Sequence, residues 1–336
     1  MSRFNGLQLS QAIQRRFETR STYSSAKLEV LSTRLAKAQH PQFFEHLTIY
    51  TAGSYGRLEA SKYSDIDLFF VLAKPRLYFD EIRVPEIRLL SEIVEIGYDM
   101  NFPKFSNDGH FLKLLFLDDI LENLGSPADD YHNHFTARML LLLESKPIYG
   151  ATVYNKLLRE TTQSYFRDYP YHPKDFRPTF LTNDILRFWK TLCLNYEHKR
   201  NQSEGRRNTK HKVKNFKLGF SRLLTCFATV AILSTYKETI TPENVIRICH
   251  LTPVERLISI ARKHPETREL ISEILRMYGW FLSRTALSTL QLEDYFFSSQ
   301  TNRTLAFSEA RKFGNKMYEL LRLLDEKNHN MWYLVV

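Results

Sequence analysis

The stretch Leu47–Leu72, LTIYTAGSYGRLEASKYSDIDLFFVL, constrains the fold of this chain most: an apolar run, a glycine-bearing turn, then a second apolar run entered through two carboxylates. Leu47–Tyr50 reads as a strand feeding a turn and helix. LFFVLAK, Leu68–Lys74, reads as a second strand without polar alternation before its lysine, so it is expected to be buried on both faces. Residues i and i+2 of a strand point to one side, which would aim Asp65 and Asp67 the same way. Two like charges that close cost stability unless a cation lies between them, and magnesium, a hard ion, prefers carboxylate and phosphate oxygens. Gly53 and Gly56 allow a close backbone approach, and Ser54 with its neighbouring amides is placed to hydrogen-bond a phosphate. Such parts suit metal-assisted phosphoryl or nucleotidyl transfer, with Mg2+ or Mn2+ as cofactor.

The surrounding pattern is mixed α/β up to about residue 150. Residues 1–40 have helical spacing, Phe79–Tyr98 has helical character, and FLKLLFL (Phe111–Leu117) reads as a third strand. Beyond Gly150 the strand signals fade into helical segments, so a C-terminal all-α bundle is expected. The expected division is a nucleotide-transfer domain over 1–150 and a helical substrate- or nucleotide-binding domain over 151–336. Within the second half, Asn183, Arg187, Lys190 and Thr191 form a polar helical stripe that either faces a cleft or is solvated. Lys214, Lys217 and Arg222 form a similar group. HKRNQSEGRRNTKHKVKNFK, residues 198–217, carries eight Lys or Arg against one Glu and reads as a basic loop, either solvated or tracking phosphates.

The whole string Gly53-Ser54-x2-Arg57-x7-Asp65-x-Asp67-Leu68 resembles the signature of the DNA polymerase β-like nucleotidyltransferase superfamily. In detail it is most similar to the nucleotidyltransferase domain of PII-protein uridylyltransferases and related nucleotidyltransferases, over about Leu47–Gly150. The resemblance implies a small mixed sheet flanked by helices, with Gly53 and Ser54 holding the triphosphate and Asp65 and Asp67 binding the metal. Arg57 and Glu59 would lie in the connecting helix, as an ion pair orienting the acidic strand or as direct participants in catalysis, with Arg57 a candidate nucleotide contact. Arg187, Lys190, Lys214 and Lys217 are the candidate phosphate cations of the helical half. Relatives often carry a third acid where this chain has Lys113. Asp118, at the far end of the third strand, is the first candidate to replace it, and Lys113 could instead bring an ammonium to the phosphates.

The formal charge of +10 points to an anionic partner without naming it. The acceptor hydroxyl expected from these features belongs to a protein or to RNA, such as tRNA. The chain's length suits a stand-alone modifier such as a toxin or defence factor. A catalytically degenerate nucleotide- or RNA-binding protein and an NTP-joining oligonucleotide synthase are the alternatives. With no apolar run of eighteen residues and no apolar core near the N-terminus, a cytoplasmic protein without a membrane partner is expected. The three cysteines, far apart in apolar contexts, read as buried free thiols.

Overall fold

A computed structural model describes residues 3–42, 44–74, 82–105, 109, 112–174, 176–201, 206–236 and 239–328. The chain packs into two compact units. An α/β unit holds Thr19–Arg167 and Pro242–Thr252, and a helical unit holds Met1–Glu18, Asp168–Thr241 and Pro253–Val336. The mixed sheet and the C-terminal helices expected from the sequence are both present.

The α/β unit runs through helix α1 (Gln11–Lys37, shared in sequence with the helical unit), the turn α2 (Gln39–Gln42), strand β1 (Leu47–Ala52), the one-turn helix α3 (Gly53–Gly56) and β2 (Asp67–Leu72). It continues with α4 (Arg83–Asp99), β3 (Leu114–Phe116), α5 (Leu117–Glu122), α6 (Pro127–Tyr131), α7 (His134–Glu144), β4 (Lys146–Tyr149) and α8 (Ala151–Gln163). Among the described residues the sheet has the order β3-β2-β1-β4, with β1 antiparallel to β2 and β4, and β2 parallel to β3.

Strand alternation sorts the two faces. Leu47, Ile49, Leu68, Phe70 and Leu72 pack with Leu28, Leu31 and Leu35 of α1 and Leu89 and Ile93 of α4 in one core. On the other face Tyr50 stacks on Phe69 at 5.2 Å and meets Tyr154 of α8 edge-on at 6.1 Å, while its hydroxyl donates to the Ala137 carbonyl of α7. Asp67 and Phe69 are only half-buried, so β2 is less enclosed at its start than a run buried on both faces would be.

The helical unit contains α9 (Thr179–Asn201), α10 (Arg206–Lys217), a π-helical turn (Leu218–Arg222) and α11 (Leu223–Ser234). The chain then passes through α12 (Pro242–His250), which belongs to the α/β unit and packs on its α7 and α8, and returns to the helical unit with α13 (Pro253–Lys263), α14 (Arg268–Arg284), α15 (Thr289–Phe297) and α16 (Gln300–Asn328). Its core is aromatic: Phe216 and Phe220 meet Trp280 and Phe281, and Phe220 meets Phe313 at 4.8 Å. This core corrects the expectation of a basic loop, since Arg206–Lys217 is helical and anchored through Val213 and Phe216. Residues 202–205 lie outside the described residues. His211–Ser234 is long and apolar enough to span a membrane, yet 67% of its apolar window is buried in the protein, as in a core helix.

Candidate functional site

The site begins where β1 ends. Gly53 takes φ +66°, a left-handed value open to glycine at little cost, and turns the chain out of the sheet. A Cβ there would collide with Asp67 Oδ2, so the absence of a side chain lets the turn lie directly against the second carboxylate. The pairing of Ala52 with Asp67 sets that proximity, and the Thr51 hydroxyl reinforces it by donating to the Asp67 carbonyl at 2.9 Å. Asp65 stands in the segment leading into β2, which starts at Asp67 rather than including both acids. Both carboxylates are half-buried.

The helix expected after the turn is a single turn. The Arg57 and Glu59 amides donate to the Gly53 and Ser54 carbonyls at 3.0 and 2.8 Å, and Leu58 enters the left-handed region at φ +57°. Arg57 is therefore its C-cap and Glu59 lies beyond it, which corrects their placement inside a connecting helix. Tyr55 is buried beneath the turn. Burial first, then Tyr23 and Asp65, push its phenol far above the usual range, so it remains protonated beside Asp65.

Arg57 is held in a buried ion cluster. Its Nε donates to Glu59 Oε2 at 2.9 Å and its Nη1 to Glu144 Oε2 at 2.6 Å, while Glu144 Oε1 accepts the Gly53 amide at 3.2 Å. From α1, the Ser24 hydroxyl accepts the Ala60 amide at 2.9 Å and Arg20 reaches the Glu59 carbonyl at 3.4 Å. Of the two sequence alternatives for Arg57 and Glu59, these contacts favour the ion pair. Glu144 was missed by sequence reasoning. The only available signal was a lone acid closing the apolar helix FTARMLLLLE.

The register places the remaining candidates. Phe70 to Leu72 pair in parallel with Leu114 to Phe116, so continuing backwards sets Lys113 beside Phe69, on the face of Asp67. Asp118 lies beyond the opposite end of β3, in the first turn of α5, where a carboxylate favours the helix N-terminus. In a parallel pair the strand's far end leads away from β2's start, so the register does not bring Asp118, the first candidate for a third acid, beside Asp67. Lys113 Nζ donates to the His132 carbonyl at 3.1 Å. Among the described residues no three His, Cys, Asp or Glu side chains form a metal-holding group. Two carboxylates still suit Mg2+, which commonly takes one or two of them with substrate phosphates completing its shell.

The cations proposed from the helical half all lie in the helical unit. Arg187 is half-buried on α9 and pairs with Asp184 at 3.5 Å, and Lys190 is exposed on that helix. Lys214 and Lys217 are exposed on α10.

Residues 37–130, from the end of α1 through most of α6, match the family model of the nucleotidyltransferase domain. This segment is a nucleotidyltransferase domain of the DNA polymerase β-like superfamily, a class defined by nucleotidyl transfer. No curated protein and no solved structure matches the chain. The match includes Gly53, Ser54, Arg57, Asp65 and Asp67 and ends before Glu144.

Proposed function

We propose that the protein moves a nucleoside monophosphate from an NTP to a hydroxyl of a protein or RNA acceptor, with Mg2+ or Mn2+ as cofactor. The observation that carries this reading is the seating of Asp67 against the positive-φ Gly53 turn, two residues after Asp65, inside the matched domain. Asp65 and Asp67 would hold the cation, which when bound supplies positive charge to the triphosphate. Ser54 and the turn's backbone would orient the phosphates. The acceptor oxygen forms a bond to the α-phosphorus, the α–β bridging bond breaks, pyrophosphate leaves, and the hydroxyl proton passes to solvent or to a carboxylate. Arg187, Lys190, Lys214 and Lys217 are proposed as further phosphate contacts, on the strength of their charge alone. An RNA acceptor draws support from the chain's charge of +10.

One observation favours a second reading. Lys113 lies in register on the face of Asp67, at the place where an active relative would carry an acid, and this suits a protein that binds nucleotide without transferring it. Mass spectrometry separates the two. Wild-type protein incubated with NTP, Mg2+ and a cell lysate is expected to leave one protein or RNA species heavier by a nucleoside monophosphate, and Asp65→Ala with Asp67→Ala to leave none. Equal nucleotide binding by wild type and variant, with no modified species from either, would establish the binding-only reading.

A further inference from the structure

We propose that Glu144 is a positioning residue of the transfer site, acting on the metal-binding pair through Gly53. The inference rests on the proposed metal-assisted function. Residue 144 bears on both glycines of the turn. Its carboxylate takes the Gly53 amide, and its backbone carbonyl lies where a Cβ on Gly56 would be, so a side chain at Gly56 would collide with it. The C-terminal end of α7 is thus the template on which the Gly53–Gly56 turn is moulded.

Arg57 fixes the template. With its side chain fully buried, Glu144 holds its charge against the guanidinium at 2.6 Å, which sets the direction of the oxygen offered to Gly53. Gly53 in turn abuts Asp67 Oδ2, which completes a continuous path from Glu144 to the carboxylate pair. Without that acceptor, the Gly53 amide loses its partner in a buried setting and the turn relaxes toward another. Asp67 then loses the surface it rests on. Groups hydrogen-bonded directly to a metal ligand are worth roughly 10–100-fold in metal affinity, and Glu144, acting through Gly53, falls at the lower end of that range.

The test measures Mn2+ affinity by electron paramagnetic resonance, alone and with ATP, for full-length wild type, Glu144→Ala, Glu144→Gln, Glu144→Asp and Asp129→Asn. Glu144→Ala is expected to raise the Mn2+ Kd roughly 10-fold. Glu144→Gln keeps one oxygen for two donors, the Gly53 amide and Arg57, and turns its NH2 on the other, so it should recover only part of that loss. Glu144→Asp keeps the charge but withdraws it from Gly53, so it should remain weak and serves if the alanine variant does not fold. Asp129→Asn removes a buried partner of Arg138 elsewhere in the unit and should lower stability while keeping the wild-type Kd. Glu144 variants with wild-type Kd, an equal loss in Asp129→Asn, or a wild type that binds no Mn2+ would each overturn the proposal. Failure of the transfer reading looks different: no nucleotide reaches any acceptor, while the Mn2+ pattern across the variants persists.

Discussion

Arg57 with Glu144 and Arg138 with Asp129 are two guanidinium–carboxylate pairs of one unit, each closing at 2.6 Å with the carboxylate side chain wholly buried. Their other partners separate them. Asp129 gives both oxygens to Arg138, at 2.9 and 2.6 Å, while its Oδ2 also accepts the Gly125 amide at 3.3 Å, and the guanidinium is completed by the Tyr165 hydroxyl and the Ile120 carbonyl, tying together α5, α6, α7 and the chain after α8. Glu144 offers one oxygen to Arg57 and the other to a backbone amide of the glycine turn. One pair closes on the fold, and the other is open toward the proposed site. Each pair has one member on α7, Glu144 and Arg138, so a single helix braces the unit's interior and shapes the turn at its end.

The sharpest way to break this contrast is Asp129→Asn, which leaves Arg138 charged and short of its partner in the core. Urea unfolding should show a loss of about 3–5 kcal/mol from the α/β unit's transition. An unchanged transition would remove Arg138 from the scaffold. Next in size is Gly53→Ala, which adds a Cβ in collision with Asp67 Oδ2 at a positive φ. Its kcat/KM for nucleotidyl transfer is expected to fall about 100-fold, in keeping with a small misplacement of reacting groups. A wild-type rate would show that the turn does not set the carboxylate.

The smallest effect is a pH dependence at the other end of α7. His134 is buried, and burial, with His132 and Lys113 adding and Asp119 opposing, holds its imidazole below the ordinary value of 6.5. As pH falls through 6.5 the unfolded chain takes up a proton that the folded one resists, so stability is full above that value and declines on acidification. His250, lowered by burial and Lys146, acts with the same sign. Melting curves between pH 7.5 and 5 should therefore fall more steeply for wild type than for His134→Phe. Parallel slopes would show that His134 titrates alike in both states.

Much of this was legible from local pattern. The apolar runs around Ile49 and Phe70 gave β1 and β2, and the spacing from Gly53 to Asp67 gave the family. What escaped depends on contacts distant in sequence. Glu144 and Gly53 are 91 residues apart, and no periodicity joins them. The end of the sheet that Asp118 occupies depends on the parallel pairing of β3 with β2, which is not written in either strand. β4 was overlooked because KPIY is four residues with a proline, a composition that only an edge strand accepts. The basic segment looked like a loop because Gly205 and its neighbouring Asn and Ser outweigh two apolar anchors, Val213 and Phe216, whose role depends on the aromatic core they enter.

The most direct measurement follows transfer of α-phosphate label from NTP in a lysate across a Mg2+ titration, for wild type and Asp67→Asn side by side. The expected result is label entering protein or RNA with wild type in proportion to Mg2+ occupancy, γ-phosphate label staying out, and Asp67→Asn silent at every concentration. Transfer by Asp67→Asn at the wild-type rate, or transfer indifferent to Mg2+, would contradict the assignment of the Gly53–Asp67 site.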